Sequence, residues 1–482
     1  MPTMFQRIIR FSLLVVGFFL TESALFAQHQ ELQQEPNLWR GRETVAKDTS
    51  SLLYALQQGR TEVAFRSMFI ATTNEGDLMN SYALATGGGL RYESSSFHGF
   101  RLAVSGFYIF NVFSSDLAAR DPISGGRNRY EVALFDVQNP GNRGSIERLE
   151  EFHLKYVKNG HTITFGKQLI NTPFINLQDG RMRPTGVDGL WYRNRGFLGR
   201  AGVEGGWIYR VTPRATTRWF SVAESIGAYG AGVNPDGGPA QYSGNVSSRG
   251  VAMLGINRRI SPSWVISIWN KYTDNVFNTA MVQLDGRIPI DTQTDLILGF
   301  QGLRQDAVND GGNPDQQKTY FPRGGQANTF GGRVGLRQNR ISATLNYNRI
   351  TAHGRYLMPR EWGREPFFTF MPRERNEGFG DVHAIMSKVD YKFPKQRTEV
   401  AFAAGYFSLP DVKKPALNKY GVPSYVQINT DIGYTFSNVL DGLEARVLVV
   451  GKIAVGETYE NPIFVFNKVN MMNYNIVMNY HF

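Results

Sequence analysis

The chain has 482 residues, no cysteine, 13% aromatic residues, 51 glycines and a formal net charge of +11. Without cysteine it has neither a disulfide framework nor a thiolate-held metal. The mean hydropathy is −0.30. Past the N-terminus no apolar run approaches the ~20 residues of a membrane helix, so a helical membrane protein is excluded. No compact Lys/Arg run with interleaved aromatics marks a nucleic-acid face, so the basic balance points elsewhere.

In chain order, the first stretch reads as a secretory signal peptide, residues 1–27. Arg7 and Arg10 precede an apolar core from Phe11 to Leu20, with cleavage placed after Ala27. Its removal takes away Arg7, Arg10 and Glu22, which lowers the charge from +11 to +10. Residues 28–60 do not alternate and are expected to form an N-terminal periplasmic segment. Within it "TSSLLYALQQGR" (49–60) has Thr49 and Ser50 before Leu52, Leu53 and Leu56, then Gly59, the pattern of a short capped helix.

From residue 61 onward the chain alternates. In 150–160, Phe152, Leu154 and Tyr156 alternate with Glu151, His153 and Lys155. In 340–350, Ile341, Ala343, Leu345 and Tyr347 alternate with Ser342, Thr344, Asn346 and Asn348. The end of the chain does the same: Tyr474, Ile476, Met478, Tyr480 and Phe482 against Asn473, Asn475 and Asn479. Period two puts the two sets on opposite faces of a strand. Each run is near the ~10 residues that cross a bilayer when tilted. Short connectors such as 157–160 and 337–340 alternate with long Gly/Asp/Asn-rich ones such as 229–245 and 304–328. In hydrocarbon every backbone N–H and C=O needs a partner, which only helices and closed barrels supply. The expectation is an all-β, transmembrane antiparallel barrel of about 18 strands over 61–482, wide enough for an aqueous lumen. A soluble β-sandwich or propeller would have shorter strands, and a propeller would show blade repeats, which are absent.

Two segments are unlike generic barrel strands. One carries Gly166-Lys167-Gln168, Thr172-Pro173, Asp179-Gly180-Arg181-Met182-Arg183-Pro184 and Gly189. The other carries Glu361-Trp362-Gly363-Arg364-Glu365-Pro366-Phe367-Phe368-Thr369 and Arg373-Glu374-Arg375-Asn376-Glu377-Gly378. Together they resemble the OprD family of substrate-specific outer-membrane porins, from about Arg60 to Phe482. That resemblance implies an inward-folded constriction loop over 170–186, with Asp179, Arg181 and Arg183 at the eyelet. It also implies a ladder of basic residues on one lumen wall, guiding solutes that bear a carboxylate. The terminal Phe482 looks like the signal read by barrel-assembly machinery.

The residues themselves agree in part. Phe330, Val334 and Leu336 share a parity that faces lipid, which places Arg333 and Arg337 in the lumen; the same argument places Glu444 and Arg446 there. A charge on the lipid face would cost several kcal/mol at mid-depth. Arginine suits such a wall because it stays charged and grips a carboxylate bidentately. For Arg364, Arg373 and Arg375 a loop ion-paired with Glu361, Glu365, Glu374 and Glu377 is the plainer reading. The seven histidines are scattered with no HExxH, so neither metal nor cofactor is expected. The Asp/Asn-rich stretch 306–316 lacks the EF-hand pattern and reads as a hydrated outer loop rather than a Ca²⁺ site.

The reading is a diffusion porin, not an enzyme, in the outer membrane of a Gram-negative bacterium. Its expected partners are small polar solutes, the bilayer and lipopolysaccharide, with no nucleic acid; monomer and homotrimer are equally compatible with the sequence. The competing readings are an outer-membrane lipid-acting enzyme, a channel for hydrophobic compounds, and a structural or adhesive barrel with a closed lumen. The amide-rich inner faces favour the porin over the last two.

Overall fold

The computed structural model describes residues 38–39, 48–144, 146–177, 181–197, 201–230, 232–373 and 375–481. The expected signal peptide, Asp179, Glu374 and Phe482 lie outside them. Eighteen long strands run through the described residues. They are β1 (Arg60–Asn74), β2 (Ser81–Glu93), β3 (Phe100–Ser114), β4 (Ile146–Lys158), β5 (His161–Gln168) and β6 (Gly186–Phe197). Then come β7 (Ala201–Thr212), β8 (Val251–Ser261), β9 (Trp264–Thr273), β10 (Phe277–Pro289), β11 (Thr294–Ala307) and β12 (Gln326–Gln338). The last are β13 (Ile341–Ile350), β14 (Val382–Phe393), β15 (Thr398–Ser408), β16 (Tyr425–Thr435), β17 (Leu443–Ala454) and β18 (Met471–His481).

Each strand pairs antiparallel with the next. The ring closes where β1 pairs with β18, from Ala64 opposite His481 to Asn74 opposite Met471. Closure leaves no edge, so every strand's backbone is satisfied on both sides.

Side-chain parity sets which face is which. On β18, Tyr474, Ile476 and Met478 are exposed on the outside, while Asn473 and Asn475 are buried inside. On β13, Ile341, Leu345 and Tyr347 point out, and Ser342, Thr344, Asn346 and Asn348 are buried. Slipping either strand by one residue would turn its amides outward and its aromatics into the lumen, so the pattern fixes the register.

The connections differ by end. Asn159 and Gly160, with φ of 49° and 79°, form the two-residue link from β4 to β5. Paired positive φ values match the strand twist of a hairpin. The opposite end carries long loops, among them 115–145, 169–185, 213–250 and 351–381, several of which fold inward. On the short-turn side a helix, α1 (Leu52–Gln57), precedes β1; Ser51 Oγ caps it by accepting from the Tyr54 amide at 3.3 Å. The cap is thus Ser51, one residue beyond the Thr49/Ser50 pair singled out by pattern.

One irregularity matters for the interior. Ser105 of β3 faces Glu151 of β4, yet Gly106 faces Leu149, so Glu150 is an extra residue in β4. A bulge breaks the strict alternation. Both Glu150 and Glu151 are consequently buried on the inner side.

Candidate functional site: the barrel lumen

Loops 169–185 and 351–381 meet inside the barrel and lock together. The Asn176 amide N donates to Trp362 O at 3.0 Å. Asn176 Nδ2 donates to Arg364 O at 2.8 Å, and Arg364 N donates back to Asn176 Oδ1 at 3.1 Å. Thr185 Oγ1 donates to Glu361 O at 2.6 Å. Gly363 adopts φ +131, and a Cβ there would stand 2.4 Å from Asn176 Oδ1, so only glycine fits at the join. Trp362 is fully buried and donates through Nε1 to Ser225 Oγ at 2.9 Å. The ammonium of Lys271, on β9, lies 5.2, 4.3 and 5.1 Å from the rings of Phe174, Phe277 and Trp362. This cation–π cage ties both loops to the wall.

The charged groups of loop 351–381 are mostly satisfied within the protein. Arg360 Nε bonds Glu377 at 2.7 Å. Arg373 Nε bonds Asn473 Oδ1 at 2.8 Å and its other arm reaches Asn475 Oδ1, which are inward amides of β18. Arg375 bonds Gly363 O. Glu361 accepts from the amides of Gly227 and Tyr229 at 3.1 and 2.9 Å, and burial still pushes its carboxyl up. Burial pushes Glu365 up to about 7, against the pull of Arg375.

The residues singled out for the eyelet are placed as follows. Asp179 lies outside the described residues. Arg181 is buried with φ +51. Arg183 is buried, and its guanidinium grips Glu150 with Nε at 2.7 and 2.8 Å from the two carboxylate oxygens. It also lies 4.8 and 4.5 Å from the rings of Trp39 and Phe107. The β4 bulge supplies the carboxylate that holds it.

On the wall, Arg333 donates to Asn346 Oδ1 at 2.9 Å and lies 4.3 Å over the Phe368 ring. Arg337 is buried, with Nε 4.0 Å from Asp295 Oδ2. Arg446 keeps 63% of its side chain exposed in the lumen while its Nε bonds Asp431 at 2.6 Å. Glu444 is half-buried on the same strand, opposite Asn479 in register.

Pattern reading missed Arg66, on the inner face of β1. It donates to Asn479 Oδ1 at 2.7 Å and has no carboxylate partner among the described residues. Its electrostatic neighbours are Arg183, Arg446 and Arg181. Four guanidinium groups from β1, β17 and the inward loop therefore converge on one side of the lumen. Arg333 and Arg337 stand apart, five strands from β17. A cavity of about 400 Å³ lies between Asn171–Pro173 and the inner faces of β6 to β10, where Arg193, Glu204, Asn257, Ser267 and Gln283 give it polar walls. Among the described residues no cluster of His, Asp or Glu has the makings of a metal site. Nor is any helix of the described residues long and apolar enough to cross a membrane, which says nothing of strands.

No family model matches the chain, and no curated protein matches it. Solved structures do match. OpdK of Pseudomonas aeruginosa with vanillate is 14% identical with a TM-score of 0.67, over 89% of this chain and 99% of that one. OccK9 (OpdG) of Pseudomonas aeruginosa is 13% identical with a TM-score of 0.68, over the same shares. OccAB2 of Acinetobacter baumannii is 13% identical with a TM-score of 0.67, again over 89% and 99%. The likeness is one of fold: the chain has the closed eighteen-stranded antiparallel barrel of these structures.

Proposed function

We propose that the protein is an outer-membrane porin of the OprD type, which passes small hydrophilic solutes down their own gradients in a Gram-negative bacterium. Its preferred solutes carry a negative charge or a carboxylate. The observation that carries this reading is the convergence of Arg66, Arg181, Arg183 and Arg446 in the lumen of a closed barrel whose outer face is apolar. Arg66 lacks a carboxylate partner there, and a cation held in a narrow passage raises the local concentration of anions. A structure that shares the fold, OpdK, was obtained with vanillate, a small carboxylate.

The roles divide. Arg66 and the exposed Arg446 face the solute. Arg183, gripped by Glu150, holds the constriction loop and adds its field. Arg333 and Arg337, with Glu444, tune the remaining wall. Asp179 is assigned a part in the same selectivity on the strength of the family resemblance alone. The outer face contacts the bilayer and lipopolysaccharide, and Phe482 serves as the assembly signal.

Reconstitution in a planar bilayer tests the proposal. Discrete conductance steps with an anion-selective reversal potential in a KCl gradient are expected. Cation selectivity would overturn the arginine assignment while keeping the porin. Absence of conductance would favour the second reading, a closed structural barrel, which the full burial of Trp362, Tyr356 and Phe379 inside the lumen supports.

A further inference from the structure

The helix α1 presents a surface that the porin reading leaves unused. It is six residues long, with sequence LLYALQ and no charged residue in its first or last turn. Only Ala55 is buried. Leu52, Leu53, Tyr54 and Leu56 are 56%, 66%, 53% and 39% exposed. Four large apolar side chains left open on one turn and a half of helix form a patch that calls for a partner.

Its place on the barrel says which partner. Tyr92 lies on β2 at the same parity as Tyr82 and Leu90, both exposed on the outer wall. The Tyr92 hydroxyl donates to Leu56 O, and its ring covers Gly59, where a Cβ would stand 2.3 Å from the ring carbons. Ser95 N, in the β2–β3 turn, donates to Ala55 O at 2.9 Å. The helix is thus fastened to the outer side of the short-turn rim, not to the lumen. On the outer wall at the same short-turn end, Phe100 and Tyr156 form a tilted ring pair with centroids 4.7 Å apart. Aromatics at this level mark the edge of the apolar band in a membrane barrel. The patch on α1 therefore continues the band just past its aromatic edge.

We infer that α1 is an interfacial anchor, whose Leu52, Leu53, Tyr54 and Leu56 insert among the phospholipids of the short-turn leaflet. This rests on the membrane-barrel reading. An apolar helix seated at the headgroup boundary binds by burying its exposed face among acyl chains. It would hold the residues that lead into β1 against the rim.

The absence of native cysteine allows a clean test. The full-length protein is made with Leu53→Cys, Leu90→Cys or Val439→Cys and labelled with an environment-sensitive fluorophore. Each form is reconstituted in phosphatidylethanolamine–phosphatidylglycerol vesicles with or without nitroxide-labelled phosphatidylcholine. Leu90 is 59% exposed in the apolar band; Val439 is 94% exposed in another short turn and serves as the aqueous control. Blue-shifted emission and nitroxide quenching at position 53 comparable to position 90 are expected, with position 439 reached only by aqueous iodide. Position 53 behaving like position 439, while position 90 is quenched, would overturn the anchor alone. Position 90 escaping lipid quenching would overturn the membrane barrel itself. Because a fluorophore carries its own affinity for lipid, Tyr54→Cys is labelled with and without Leu52→Ser, Leu53→Ser and Leu56→Ser. Quenching lost in the serine form supports the anchor, and quenching retained refutes it.

Discussion

Replacing Arg66 by glutamine gives the sharpest test of the lumen assignment. The guanidinium has one partner, the Asn479 amide at 2.7 Å, and no carboxylate among the described residues. Its removal leaves no bare acid behind and subtracts one positive charge beside Arg181, Arg183 and Arg446. Two unit charges 4 Å apart interact by about 1 kcal/mol in water and about 4 kcal/mol at an effective dielectric of 20. With the value for water as the floor, an anion at this point loses at least roughly 1 kcal/mol, or about fivefold in occupancy. Arg66→Gln is therefore expected to lower the anion-to-cation permeability ratio about fivefold. The assay is the reversal potential of single channels in a KCl gradient. Raising the bath toward 1 M shortens the screening length to about 3 Å, so the mutant and wild type should converge there. An unchanged reversal potential at low salt would refute the reasoning, because an uncompensated charge in the path cannot be electrostatically silent.

Other residues separate fastening from selectivity. Glu150→Gln leaves Arg183 buried without its carboxylate, a loss of about 3–5 kcal/mol; the barrel's unfolding temperature should fall. Trp362→Ala empties the join between the two inward loops at a cost of about 3–5 kcal/mol, so protease should cut within 351–381 while the barrel stays folded, and conductance should rise. Glu365 bears on pH. Its folded carboxyl titrates at about 7, above the ordinary value of 4.5, because burial disfavours the charge. Its contribution is thus full below about pH 4.5 and is lost as pH rises through 7, on the order of 3 kcal/mol. Amide protection in loop 351–381, corrected for the intrinsic base-catalysed exchange rate, should fall between about pH 4.5 and pH 7 in the wild type and stay flat in Glu365→Gln. Trp39→Ala removes the ring lying 4.8 Å from Arg183, and should widen the passage, read as a larger single-channel conductance.

How much of this was legible in the chain depends on the length scale of each signal. The barrel was, because alternation repeats in every strand: Tyr474, Ile476 and Met478 outside with Asn473 and Asn475 inside is a local pattern that survives folding unchanged. The inner-wall positions of Arg333, Arg337, Glu444 and Arg446 followed from the same parity. Parity says nothing of what a side chain meets across the lumen. Arg183 and Arg446 look alike in sequence, yet one is buried on Glu150 and the other keeps most of its side chain exposed beside Asp431. The difference comes from the extra residue in β4, which turns two adjacent acids inward against the alternation. A bulge has no sequence mark beyond that broken pattern, and "EE" before Phe152 was the one clue available. Arg66 went unnoticed for the opposite reason. Its strand alternates imperfectly, with Ser67 and Thr61 at outward positions, so parity alone did not single it out. Only closure of β1 onto β18 brings it beside Asn479, more than four hundred residues away in the chain. The lumen's chemistry is therefore written in contacts between the first strand, the last strand and a loop from the first half of the barrel. Such contacts exist only once the ring is shut, which is why the wall could be read from the sequence and the charge cluster could not.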